Sequence, residues 1–139
     1  MNSRYWLLGA VVLVLAVAGS MQLAQITGFT AIGGAVAGTQ EIQVVINDGA
    51  KVSIYSVTLN QRETAFDALK RVATPDYRMR LPSVYITSIN GIKEDSKHTW
   101  IFLVNEKMPE VGSDFYYPVG GDVVKFGYMT TEEAAKYFE

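Results

Sequence analysis

Apolar and polar positions follow two regimes along the chain, one continuous and one alternating. Tyr5–Gly19 is an almost unbroken apolar run, and no residue from Tyr5 to Gln40 is charged. From Gln40 the period becomes two: Ile42, Val44 and Ile46 share one face, Gln43 and Asn47 the other, which predicts a strand over Gln40–Asn47. Asn47-Asp48-Gly49-Ala50 is turn chemistry, because Asp-Gly tolerates the positive φ of a tight hairpin, and Lys51–Leu59 reads as the returning strand. At Thr64 the period changes again. Ala65, Ala68, Leu69 and Val72 form a helical stripe that Thr64 can cap, with Asp67 three residues on and Pro75 as the stop. The pattern predicts one short amphipathic helix of about ten residues.

Asp76–Pro82 reads as a polar, irregular connection, followed by strands at Val84–Ile89 and Thr99–Asn105. The second of these is apolar on both faces, Trp100, Phe102 and Val104 against Ile101 and Leu103, as in a strand covered on both sides. Asp114–Tyr117 reads as a short extended piece, Gly120-Gly121-Asp122 as a turn, and Val123–Tyr128 as a last strand. Thr130-Thr131-Glu132-Glu133 opens a short C-terminal helix by the logic of the capping box. The order β-β-α-β-β-β predicts an α+β fold: a β-grasp-like mixed sheet with one packed helix.

The uncharged N-terminal run supports two readings. Met1–Arg4 is a short positive end, and Ala16-Val17-Ala18 is a small-residue processing site of the kind that follows a signal peptide. Extended through Met21, Leu23 and Ile26 to Phe29, the run is about 25 residues long, enough to cross a hydrocarbon layer of about 30 Å. Arg4 favours an N-terminus inside and the domain outside. Residues 1–29 are therefore expected to be a transmembrane anchor or a signal peptide, and residues 30–40 a flexible spacer. Residues 41–129 are expected to be the folded domain, and 130–139 a short helix. The protein is expected at the cell membrane, single-pass with the domain outside, or secreted if the segment is cleaved.

Composition narrows the chemistry. All 14 acidic residues lie from Glu41 onward, so the folded part has an ordinary soluble composition. A net charge of −2 leaves no basic surface on which to expect nucleic acid. Without cysteine there are no disulfides, thiolate metal sites or cysteine nucleophile. His98 is the only histidine, Ser96 is merely its neighbour in a polar loop, and Glu94, Asp95, Asp114 and Asp122 lack calcium-loop spacing. The glycine pairs Gly33-Gly34 and Gly120-Gly121 lack the spacing and lysine of a phosphate loop. No enzyme and no metal site is expected.

Four segments stand in a recognisable succession: Glu63–Lys70 (E-T-A-F-D-A-L-K), Tyr85–Ile92 (Y-I-T-S-I-N-G-I), Trp100–Asn105 (W-I-F-L-V-N) and Gly121–Val124 (G-D-V-V). Together they resemble the small β-grasp domains related to the C-terminal domain of transcobalamin and intrinsic factor, over about Glu41–Met129. One departure is Asn105-Glu106, where the family usually has Asn-Gly; it implies a longer turn running through Lys107-Met108-Pro109. The resemblance implies ligand binding, with a cobalamin-type corrinoid as the candidate ligand and a glycan or other small molecule as alternatives. It also implies a protein partner that completes the site, because in the animal transporters a larger helical domain holds the ligand as well.

Aromatic rings are the candidate contacts. Trp100, Tyr116, Tyr117 and Tyr85, with Phe115, exceed what one small sheet needs for its core, and rings with polar tips suit flat ligands or protein surfaces. The alternative is a structural surface or assembly subunit that self-associates through the apolar Ile26–Ala37 stretch.

Overall fold

The computed structural model describes residues 38–139, and the expected anchor or signal peptide and most of the spacer lie outside them. Among the described residues no helix is long and apolar enough to cross a membrane.

Two hairpins and a helix build the frame. Strands β1 (Thr39–Asn47) and β2 (Val52–Asn60) pair antiparallel around a turn held by side chains. Asn47 Oδ1 accepts from the Gly49 N–H, and Asp48 Oδ1 accepts from the N–H groups of Ala50 and Lys51. Gly49 takes the positive φ of +89° that this reversal requires. Helix α1 (Ala65–Val72) follows, with the expected capping box present in both directions between Thr64 and Asp67. It buries Ala65, Phe66, Ala68 and Leu69.

The four-stranded sheet has the order β2-β1-β7-β6, where β6 spans His98–Val104 and β7 spans Val123–Thr130. β1 and β7 run parallel and the other pairs antiparallel, so the sheet is mixed as expected. Its inner face presents Ile42, Val44, Ile46, Val57, Leu59, Val124 and Phe126 to α1 in one core. At about 2 kcal/mol for each fully buried aliphatic side chain, this cluster is the main favourable term of the fold.

The sheet arrangement departs from the sequence expectation in one respect. The Val84–Ile89 strand does not join the mixed sheet. It is the centre of a second sheet, β3-β4-β5, formed by Pro75–Arg80, Ser83–Ile89 and the two-residue strand Ile92–Lys93. The connection read as irregular is therefore strand β3. Its start at Pro75 and its charges suit an edge strand, which needs no inward N–H at its first residue and gains protection from Asp76, Arg78 and Arg80. Ile86 and Ile89 close the main core from this second sheet, and Tyr77 meets Phe66 edge-on at 4.9 Å.

Two other expectations are corrected. Residues 113–115 form a turn rather than an extended piece. The reversal after β6 stays two residues long: Val104 and Lys107 exchange both backbone hydrogen bonds at 2.8 and 3.0 Å, and Asn105 and Glu106 both adopt positive φ, +50° and +64°. That is a type I′ turn with glutamate where glycine is favoured. Helix α2 (Thr131–Ala135) carries a second capping box, between Thr130 and Glu133, and packs Ala134 over Ile101 and Leu103.

Candidate functional site

The second sheet leaves a gap. Among the described residues β6 pairs only with β7, and β4 meets β5 at Ser88 and Ile89, with Thr87 O taken by the Glu94 N–H, so the outer edges of β6 and of Ser83–Ile86 flank a common space. An open cleft of about 710 Å³ lies there, walled by β4, β6, the 108–113 loop and α2. Volumes of this order hold small-molecule ligands.

The cleft's chemistry begins with backbone. In β6, Asn105 N–H donates to Val123 O and Lys97 O accepts from Thr131 N–H, so the odd-numbered residues bond to β7. Strand alternation then turns the even-numbered residues to the free edge. His98 O is taken by Asp95 N–H, and Val104 is taken by Lys107. The N–H and C=O groups of Trp100 and Phe102 face the cleft, with no partner among the described residues. Two adjacent donor–acceptor pairs on an open strand edge are a ready recognition element.

Side chains set the rest. Tyr85 Oη donates to Glu94 at 2.6 Å and lies 3.3 Å from Thr99 Oγ1. The guanidinium groups of Arg78 and Arg80 lie over its ring, 4.8 and 5.7 Å from the centroid. His98 bonds Asp95 through Nδ1 at 3.0 Å and stacks on Tyr128 at 5.1 Å between centroids. Hydrogen bonds from the Lys97 N–H and from His98 hold the Asp95 carboxyl below the usual aspartate range. Asp114 ties the far wall to β4, accepting from Ser83 Oγ and from the Val84 N–H. The lining is apolar along β6 and the 108–111 loop, and charged at the rim, where Arg80, Glu94, Asp95 and Glu110 gather.

The four aromatic residues expected to bind ligand do not lie together. Tyr85 and Trp100 line the cleft; Tyr116 and Tyr117 do not. Trp100 is 6% exposed, its indole N–H donating to Ile92 O at 2.9 Å, so it is part of the core and not a surface ring. Tyr116 is half-buried and donates to Asp122 at 3.0 Å, beside a shallower depression bounded by Asn105, Met108 and Pro109. Burial and the bond to the Asp122 carboxylate both raise its phenol above the usual tyrosine range. Asp122 also accepts from Asn105 Nδ2 and the Val119 N–H, so Tyr116 belongs to a structural hub. Tyr117 is exposed and stands apart from the cleft. Sequence reasoning missed Arg80, Glu94 and His98 as cleft residues. Only the pairing of β3 with β4, and the edge position of β6, bring them together. No group of three or more His, Asp or Glu side chains suited to a metal ion occurs among the described residues.

A four-stranded mixed sheet gripping one helix, with a second small sheet closing its open side, is the architecture of a β-grasp domain like the C-terminal domain of transcobalamin. Residues 62–130 match the family described as Domain of unknown function (DUF4430). Among solved structures, haptocorrin in complex with Cbi aligns with a TM-score of 0.60 at 14% identity, over 66% of this chain and 25% of haptocorrin. A proposed metal-binding protein from Ruminococcus gnavus ATCC 29149 aligns with a TM-score of 0.57 at 12% identity, over 66% of this chain and 97% of that one. At these identities the likeness is one of fold, and the chain spans about a quarter of haptocorrin's length. Comparison with curated protein sequences found no match.

Proposed function

We propose that this domain is a ligand-binding module whose site is the cleft along the free edge of β6, carried outside the cell membrane by residues 1–29. The observation that carries the reading is the pair of unpartnered edge residues, Trp100 and Phe102, opening onto a cleft of about 710 Å³. An amide-rimmed flat molecule matches that arrangement. Its peripheral amides would exchange hydrogen bonds with the strand edge while its face covers the apolar lining. A cobalamin-type corrinoid has this chemistry, and the likeness to haptocorrin, solved with Cbi, supports it as the first ligand to test. Glycans share the hydrogen-bonding rim and are the next candidates.

The cleft is open to solvent on one side, and an open site buries only part of a ligand, which limits affinity. Haptocorrin is about four times longer than the aligned region, so in this proposal a protein partner supplies the opposing surface.

The test is an absorbance titration of the full chain with cobinamide and with cyanocobalamin. A saturable spectral change is expected, weakened about tenfold or more (about 1.4 kcal/mol) by Arg80→Ala and by Tyr85→Ala, and unchanged by Tyr117→Ala. A flat response at high ligand removes corrinoids from the reading. Loss of binding in Tyr117→Ala but not in Tyr85→Ala places the site elsewhere.

A further inference from the structure

The opposite edge of the mixed sheet carries a second surface, independent of the cleft. β2 is the terminal strand, and among the described residues nothing pairs with its outer edge. Which of its groups face outward follows from the bonds it makes. Lys51 O accepts from the Asp48 N–H, and the Gln61 N–H donates to Gly38 O, so the odd-numbered residues bond to β1. The even-numbered residues, Val52 to Asn60, point their N–H and C=O groups to the free edge.

One end of that edge is closed. Asn60 exchanges bonds with Glu63, its N–H donating to Oε2 and its C=O accepting from the Glu63 N–H. The Arg71 guanidinium donates to Thr58 O and is itself held by Glu63. The other end, Val52–Ser56, has no such guard. Exposed edges are ordinarily blunted by charge, proline or a bulge. β3, the edge of the second sheet, has Pro75, Asp76, Arg78 and Arg80. β2 reads V-S-I-Y-S-V-T-L-N, without a charge, a proline or a break in register over nine residues. Its even-numbered side chains include Val52 at 56% and Ile54 at 49% exposure, with Val45 beside Ile54 on the neighbouring strand.

We propose that this edge pairs with the same edge of a second copy, antiparallel, about a two-fold axis at Ile54. The register sets Val52 against Ser56 of the partner and Ile54 against itself, all as bonded pairs, which gives about six backbone hydrogen bonds. The two four-stranded sheets then form one continuous eight-stranded sheet. The occupant is a second copy because the segment is its own complement. No charged side chain within Val52–Ser56 meets its like across the axis, β-branched residues face β-branched or small ones, and the edge is open over the length the symmetry uses. The guard at Thr58 and Asn60 stops longer pairing and fixes the register at the Val52 end.

The chain has no cysteine, so one introduced cysteine reports the contact directly. Bonded antiparallel partners lie about 5.5 Å apart between Cα atoms, within disulfide reach. Full chain carrying Ile54→Cys is oxidised mildly and compared with Ser96→Cys in the exposed 94–97 loop, on the cleft side. The expected result is disulfide-linked dimer forming about tenfold faster for Ile54→Cys. Adding Ser56→Pro deletes an outward N–H that no intrachain bond uses, and proline is tolerated at edges, so the fold is retained while the rate falls to that of Ser96→Cys. A far-ultraviolet circular dichroism spectrum matching that of the single variant Ile54→Cys verifies the fold of that variant. Equal rates for Ile54→Cys and Ser96→Cys overturn the proposal, as does a rate that Ser56→Pro leaves unchanged.

Discussion

Glu106 occupies the second central position of the type I′ turn between β6 and Lys107, at φ +64°. Asn105 before it tolerates the left-handed region because its short amide can bond locally; here its Oδ1 accepts from the Val123 N–H. Glutamate has no such means, and its Cβ meets the following carbonyl at a cost of about 1–2 kcal/mol. What it offers in return is an ion pair with Lys125 at 3.1 Å, and its side chain is 66% exposed, so the pair contributes only a few tenths of a kcal/mol. Replacing Glu106 by glycine therefore removes more strain than attraction. Part of the gain is lost to the greater freedom of glycine in the unfolded chain. A net stabilisation of about 0.5–1 kcal/mol is expected, seen in calorimetry as a thermal midpoint higher by about 3–6 °C for a domain of this size. A lower midpoint would mean that the Lys125 pair outweighs the backbone strain.

At the scale of single elements, α1 depends on its first turn. Thr64 Oγ1 accepts from the Asp67 N–H, and the Asp67 carboxylate accepts from the Thr64 N–H at 2.9 Å. Burial works against the Asp67 charge, but the hydrogen bonds from Thr64 and the ion pair with Lys70 outweigh it and lower its pKa. A carboxyl whose folded pKa is depressed adds stability that is complete above its unfolded value and is lost as pH falls through the folded one. The contribution is therefore present at pH 7 and fades below about pH 4. Thr64→Ala should cost about 1 kcal/mol at pH 7. The difference from the parent chain should shrink when both are unfolded with urea at pH 2.5. A difference that stays constant between the two pH values would show that Asp67 takes no part in the cap.

This helix was legible in the sequence because everything that defines it is local: the cap, the period and the stop lie within a dozen residues. The same holds for the β1–β2 turn, whose Asp48-Gly49 chemistry lies within four residues. Strand β3 was not legible, because its proline and charges read as a connection unless one already knows that it is an edge. Trp100 was misread for a related reason. Apolar residues on both faces of β6 signal burial, and burial was assigned to the strand while its largest ring was assigned to the surface. The cleft was beyond sequence reasoning altogether. It exists because β4 leaves the main sheet, and which sheet a strand joins is decided by contacts far apart in the chain.

For the molecule as a whole, the two sheets are linked at one end of the cleft and parted along its length. The Trp100 indole reaches Ile92 O and the Tyr128 hydroxyl reaches Lys93 O at 2.9 Å, which pins β5 to the main sheet. Toward Val84 the walls are bridged by side chains: Asp114 of the 108–114 loop accepts from Ser83 and Val84, and the Tyr85 hydroxyl lies 3.3 Å from Thr99 Oγ1 of β6. Backbone N–H groups inside this opening exchange with water unless something covers them, so amide hydrogen exchange reads out occupancy residue by residue. In the free protein, Trp100 and Phe102 should exchange faster than Ile101 and Leu103, whose N–H groups are bonded to β7. At saturating ligand, Trp100 and Phe102 should slow by about tenfold or more (at least 1.4 kcal/mol of added protection), while Ile54 on the far edge stays unchanged. Self-pairing of β2 predicts the complementary pattern: raising the protein concentration slows Val52, Ile54 and Ser56 and leaves Phe102 alone. One experiment thus separates the two edges. Protection of Trp100 and Phe102 by ligand alone would place the ligand on the strand edge of β6. Saturable binding with no change at either amide would put it on the charged rim instead, among Arg80, Glu94 and Glu110.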